Sequence, residues 1–282
     1  MLTMMKRNLL LYFRNRSGVI FSLLGALISF VLYIIFLKKG IAQDWNGIED
    51  KNQLLDMWLI SGTLTVTGIT TTFTSLGQSA KDREQGVSQD LLLTDLSPFR
   101  RHLSYVFSAA LTGFLMQIVM LVIMVAYFAL VDQISFPLDK VPILLVIMVL
   151  SALTATLVND LIVSHIQSVD ALSKLGTIIG TASGFLVGTY FPIGNMPDFA
   201  QALMKLTPGA YIAALFRQVL MGPTVTKVFT HNVTAIHHFD QQLGIRLQWT
   251  HLLSQGETYL VVTGFIVIAI VFIALPSLKN KK

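Results

Sequence analysis

Cysteine is absent from this 282-residue chain, so no disulfide and no thiolate metal site can form. Charge is scarce. Only 12% of the residues are Asp, Glu, Lys or Arg, against about 25% in an ordinary soluble domain. No glycine is followed by lysine, which excludes the loop whose amides and lysine cradle nucleotide phosphates. The net charge of +5 is spread over termini and loops and forms no clustered face for nucleic acid. What the chain has in quantity is apolar surface: 54% of its residues are hydrophobic. The apolar runs leave no room for a sizeable soluble domain. The expected fold class is all-α, a polytopic membrane protein, with residues 1–282 forming one transmembrane domain.

Apolar runs near the length needed to cross a bilayer, about 20 residues, predict spans over Ser17–Leu37, Met57–Leu76, Leu103–Val131, Val141–Val163, Leu175–Phe191 and Tyr259–Pro276. Residues 1–16 precede the first. On a helix, Leu2, Met5, Leu9, Tyr12 and Phe13 share one face and Arg7, Asn8, Arg14 and Asn15 lie opposite, which predicts an interface helix on the inner leaflet. The start of the chain does not read as a cleaved signal. In the fifth span Gly176, Gly180, Gly184 and Gly188 recur every fourth residue, a spacing that lets helices approach closely, within the subunit or at a dimer seam.

After that span the chain breaks at Pro192, Gly194 and Pro197, and again at Thr207–Pro208–Gly209. The two short helical pieces between and after these breaks predict a re-entrant hairpin over residues 192–221. Irregular backbone at membrane depth is tolerated only when buried in protein or lining a cavity. A transport path is therefore expected, with Pro192, Met196, Pro197, Pro208 and Arg217 in its lid. Residues 222–257 form an outer loop. Twelve Lys and Arg fall in the segments assigned inside and eight in those outside, which sets both termini in the cytoplasm. Lys38 and Lys39 oppose that bias.

Residues 77–102 are the one large cytoplasmic loop. Ser88 is expected to cap a short helix carrying Leu91, Leu92 and Leu93. Ser97–Pro98 is expected to cap and open the next helix. Three leucines in water are costly, so they must meet this chain, lipid or a partner.

Two segments carry a family resemblance. Arg83, Glu84, Gln85, Gly86, Val87 and then Leu91, Leu92, Leu93 and Thr94 follow the R-E-x-G-T-x-x-x-L-L-x-T-P pattern, with Val87 and Asp95 departing from it. Phe191, Pro192, Ile193, Met196 and Pro197, then Thr207, Pro208 and Arg217, follow the second. In both, the chain resembles the permease subunits of type-2 ABC exporters over nearly its whole length. That resemblance implies a permease that binds no cofactor itself and works with two copies of a separate ATPase carrying ATP and Mg. It also implies a second permease copy, as a homodimer or heterodimer. Arg83, Glu84, Gln85, Gly86, Leu91, Leu92, Leu93 and Thr94 would form the ATPase-coupling element. Phe30, Tyr33, Trp58, Thr65, Thr71, Phe73, Phe185, Tyr190 and Phe191 are the candidate substrate path. Their mix of aromatic bulk and hydroxyls suits an amphipathic or hydrophobic cargo, such as a drug, antibiotic, toxin or peptide-like molecule. A lipid or lipid-linked glycan is the alternative. Membrane lipid surrounds the chain, nucleic acid is not a partner, and the expected location is a bacterial plasma membrane.

Other chemistries fit less well. No catalytic residue is assigned. An intramembrane hydrolase would need a base beside Ser183, and His165 sits at the inner end of another span. An ion-coupled carrier would use Asp160, a single carboxylate next to Asn159. His231, His237, His238 and His251 in the outer loop have no metal-site spacing, and no metal is expected. Leu253–Ser254–Gln255–Gly256 echoes an ATPase signature by chance. The topology is testable: a single cysteine placed at His238 should react with an impermeant thiol reagent in intact cells. Labelling only after lysis would reverse the assignment.

Overall fold

The computed structural model describes residues 1–38, 40, 50–229 and 232–279. Lys39, His231, Lys281 and Lys282 lie outside them. Among the described residues the chain is helical, and its only β pairing is an isolated bridge between Gln248 and Leu252.

Helix α1 (Leu2–Arg14) ends at Asn15, whose side chain accepts from the Gly18 amide at 3.0 Å and starts α2 (Arg16–Ser22). A break at Leu23 leads into α3 (Leu24–Leu32), which runs on as a π-helical turn, Tyr33–Leu37. The expected first span is therefore bent, by 46°. Next come α4 (Lys51–Glu84), a short α5 (Val87–Asp90) and α6 (Pro98–Val131). They are followed by α7 (Val141–Val163), α8 (Val169–Leu186), α9 (Asp198–Lys205), α10 (Pro208–Val228), α11 (Val233–Leu243) and α12 (Gln255–Lys279). Helices over Pro98–Val131, Leu138–Val163 and Gln255–Ala274 are long and apolar enough to cross a membrane, and the bent α2–α3 pair would add a fourth. Helices α4 and α8 occupy the second and fifth expected spans without meeting that measure.

The reason in α4 is its hydroxyls. It is the central helix, packed against α3, α6, α7, α8 and α10, and buried on nearly every side from Leu54 to Gly77. Ser61, Thr65, Thr67, Thr71 and Thr72 each donate to the carbonyl one turn back, at 2.6–3.0 Å. A hydroxyl satisfied in its own helix can be buried at little cost. Amides from neighbours then pin α4. Gln117 on α6 donates to the Leu64 carbonyl at 2.9 Å, and Asn159 on α7 to the Ile69 carbonyl at 2.8 Å.

Ion pairs close both ends of the bundle. At the end that holds Ile193 and α11, Lys38 meets Asp56 at 2.9 Å and Asp132 at 2.6 Å, and Tyr33 donates to Asp56 at 3.0 Å. Lys38 thus opposes the charge bias as part of a pair. At the other end Arg7 forks onto Asp82 at 2.8 and 3.0 Å, joined by Gln78 at 2.7 Å and by Tyr105. This alters the expected polarity of α1. Its buried face is Met4, Asn8 and Tyr12, and Asn8 donates to Ser108 at 3.3 Å. Leu2, Leu10, Leu11 and Phe13 are exposed.

Arg7 is 31% exposed and Asp82 only 1%, so loss of the cation leaves the more buried charge behind. Arg7→Met should cost up to about 3 kcal/mol. Adding Asp82→Asn should restore part of the melting temperature in detergent. A double variant that melts no higher than Arg7→Met would show that Asp82 does not need the cation.

Candidate translocation cavity and coupling surface

Helix α8 carries only two buried residues, Ser183 and Gly184. Its first five turns lean on α4 and α3. The contact with α3 is a close backbone approach: a Cβ on Gly25 would lie 3.1 Å from the Gly180 carbonyl oxygen. Gly176 faces the Phe73 ring and Gly184 is pressed against the Tyr190 ring. Gly188 is not on this stripe. It lies beyond the helix at φ +69°, in the left-handed turn that reverses the chain.

Between α2, α3, α4 and α8 lies a cavity of about 600 Å³. Phe21, Ile28, Phe73 and Tyr190 supply its aromatic and aliphatic walls. Ser22, Thr70, Thr74, Ser173, Thr177 and Thr181 supply hydroxyls, and no charged side chain lines it. A second cavity, of about 280 Å³, lies between α4, α7, α8 and α10. Of the expected path residues, Phe73 and Tyr190 line the first cavity and Thr65 the second. Phe185 and Phe191 are exposed near Tyr190, with ring centroids 6.4 Å apart. Phe30, Tyr33, Trp58 and Thr71 line neither cavity. Phe30 packs on Tyr127 and Phe128, Tyr33 is bound to Asp56, and Thr71 bonds back along α4. Trp58 is fully buried and donates to the Leu243 carbonyl at 3.0 Å.

The hairpin region has the expected breaks but unequal arms. Ile193–Asn195 is a single 3-10 turn, and α9 has 8 residues. Pro208 sits in the first turn of α10, which continues for 21 residues through Pro223, past the expected end of the hairpin. Met196 packs on the main core, while Gly194 abuts the backbone of Gln242 on α11. Arg217 is 1% exposed. Its guanidinium donates to Gly188 at 2.7 Å and to Val187 and Gly244 at 3.3 Å, and lies 5.2 Å from the Trp58 ring. Val187 and Gly244 cap the C-termini of α8 and α11. Helix C-termini carry partial negative charge, so the cation is compensated by carbonyl dipoles.

At the other end, Gly86 adopts φ +76° and turns the chain out of α4. Arg83 points inward, donating to Val163 at 2.7 Å and Ile166 at 2.8 Å, and Glu84 accepts from the Val169 amide at 3.1 Å. These two residues tie the α7–α8 link to α4. Ser97 caps α6 as expected. Ser88 caps nothing: Gly86 holds that position, and the Ser88 carbonyl accepts from Arg101 at 3.1 Å. Leu91 is half-buried, whereas Leu92 is 58% and Leu93 88% exposed. Gln85 and Thr94 are exposed beside them. Phe99, 67% exposed in the first turn of α6, extends this apolar patch. Sequence reasoning passed over Phe99, although an aromatic residue just after a Ser-Pro cap was visible.

Ser183 donates to the Gly180 carbonyl at 3.0 Å, and exposed His165 lies against Leu161 and Ser164. Asp160 is paired with His102 at 3.0 Å, and His251 with Glu257 at 3.0 Å.

A family model described as "ABC-2 type transporter" matches residues 1–221. No match to a curated protein or to a solved structure was found.

Lysine at position 217 would keep the charge and lose the planar fork. Arg217→Lys should therefore destabilise nearly as much as Arg217→Met, by about 3 kcal/mol. Thermal melts in detergent decide it, and a Lys variant melting like the parent would show that charge alone suffices.

Proposed function

This chain belongs to the ABC-2 type transporter family, and from that premise we propose that it is the permease of an ATP-driven exporter of amphipathic or hydrophobic cargo. As a permease component it is not itself the ATPase. The observation that carries the cargo reading is the uncharged cavity between α2, α3, α4 and α8, where hydroxyls sit beside Phe21, Ile28 and Phe73. Such a wall suits a drug, toxin or peptide-like molecule with few polar groups. A polyhydroxylated glycan would need more donors and acceptors than it offers, so lipid-linked glycan is the second choice.

In this reading six segments cross the membrane, α4 and α8 among them, screened from lipid by neighbours or by a second copy. The weakly covered face of α8 and the cavity beside it support a seam at which a second permease copy closes the path. Residues 192–221 would dip in from the outer side as a lid, held by Arg217. Both termini lie inside, and α1 rests on the inner leaflet with Leu2, Leu10 and Phe13 towards lipid. An ion-coupled carrier fits less well, because Asp160 is a single carboxylate with no paired acidic span.

Force would enter at Gln85–Phe99. Leu92, Leu93 and Phe99 form the apolar contact for a separate ATPase, while Arg83 and Glu84 brace the element from within. A push on this turn reaches α4, a wall of the path, through Gly86, and α6, which packs against α4, through Ser97.

The purified chain alone should hydrolyse no ATP, and its complex with the partner ATPase should. Leu92→Asp should leave the permease folded, because the side chain is already more than half exposed. Against an apolar cleft the carboxylate costs several kcal/mol, so co-purification of the ATPase and cargo export should both fall about a hundredfold, or 2.7 kcal/mol. Normal ATPase binding and export by this variant would remove the coupling role.

A further inference from the structure

Chain neighbours α7 and α8, joined by five residues, barely touch. Helix α8 packs chiefly on α4, and the space left between it and α7 is the second cavity. Its volume, about 280 Å³, exceeds the roughly 150 Å³ of an apolar cavity able to hold benzene. The walls are Ile69, Ala155, Val158, Ile179, Ala182 and Leu186, and its floor is the joint Thr207–Pro208–Gly209 at the start of α10.

The polar groups in the wall are already engaged. Thr65, Thr154, Ser183 and Thr207 each donate to a carbonyl of their own segment, at 2.7–3.0 Å. Asn159 donates to Ile69 and Thr72, and the Ser151 hydroxyl accepts from Gln117 at 2.8 Å. No charged side chain lines the space. An occupant therefore finds an uncharged, mainly aliphatic wall in which most donors are spent, which complements a molecule that is chiefly hydrocarbon. The mouth lies between Ile162, 37% exposed, and Ile178, 59% exposed. Further along α7, the exposed side chains Ile143, Leu145, Val146 and Val149 are all aliphatic, on a helix long and apolar enough to cross a membrane. Ile162 lies in the last turn of that helix, so the mouth opens beside a membrane-crossing segment, and an empty space there would forfeit dispersion contacts along its whole lining.

We propose that the cavity between α7 and α8 is a binding site for one acyl chain of a membrane phospholipid, and that the chain braces the joint between α9 and α10. The tail would lie against Val187 and Gly209. It thereby supports the same turn whose carbonyls hold Arg217. The proposal rests on the chain lying in a membrane and is independent of the cargo and coupling assignments.

The test uses the full-length protein in vesicles of phosphatidylethanolamine and phosphatidylglycerol, with a small fraction of phosphatidylethanolamine carrying a mid-chain diazirine. After illumination, adducts are mapped by mass spectrometry. In the parent protein, Val158, Ile179 and Ala182 should be labelled at least as strongly as Val146 and Val149. Filling the site with Ala182→Phe, or independently with Ala155→Leu, should lower the Val158 and Ile179 adducts about tenfold, or 1.4 kcal/mol, with Val146 unchanged. Adducts confined to the outer face of α7 in the parent would overturn the proposal without reference to any variant. So would undiminished cavity labelling in a filled variant that elutes and melts like the parent. Loss of the adducts on adding an amphipathic cationic dye would assign the cavity to cargo and equally overturn it.

Discussion

A buried guanidinium with no carboxylate beside it ties together the end of the bundle that holds α11. Arg217 gathers the C-terminal carbonyls of α8 and α11 on one side and the face of Trp58 on the other. Removing a cation from water costs several kcal/mol, and only well-placed partners offset it. Here the partners are two helix ends and an aromatic ring. Four helices, α4, α8, α10 and α11, meet at that one group. Arg83 repeats the device at the opposite end, where it caps α7 through Val163 and Ile166. Arg217 takes its counter-charge from backbone dipoles, which cannot be neutralised by a proton as a carboxylate can, whereas Arg83 also feels the charges of Asp160 and Asp82.

The two cavities follow from what α4 is made of. A helix of leucines would be wrapped tightly by its neighbours. A helix of serines and threonines presents small side chains, bonded to its own backbone, and leaves spaces on two of its flanks. One space, towards α2 and α3, keeps a ring of hydroxyls at its wall. The other, towards α7, shows almost no polar surface. The same central helix thus borders a site suited to an amphipathic molecule and one suited to a plain hydrocarbon.

Local signals in the sequence were faithful guides. The Ser97–Pro98 cap and the breaks at Pro192, Pro197 and Thr207–Pro208–Gly209 all act within a few residues, and each stands where the pattern puts it. The helices also fall where the apolar runs predict them. Partners distant in the chain were invisible. Nothing near Lys38 announces Asp132, and nothing near Asp82 announces Arg7 or Tyr105. Tyr33 and Trp58 read as path residues because aromatics in a span can face either a channel or a core, and their hydrogen-bond partners, Asp56 and Leu243, decide for the core. Ser88 failed as a cap because Gly86 had already taken that position. Gly188 kept the four-residue rhythm of α8 by coincidence, since the helix ends before it.

Lys38 has a consequence for biosynthesis. In a chain threaded N-terminus first, this lysine emerges before either of its carboxylates. Asp56 follows 18 residues later near the head of α4, so this first pair can form once α4 begins to be made. Asp132 arrives only with the far end of α6. Until then the ammonium, just past the π-helical turn, has only one of its two carboxylates. The tie between the end of the α3 segment and α6 therefore forms only after α6 is made, and it runs through a single shared ammonium group.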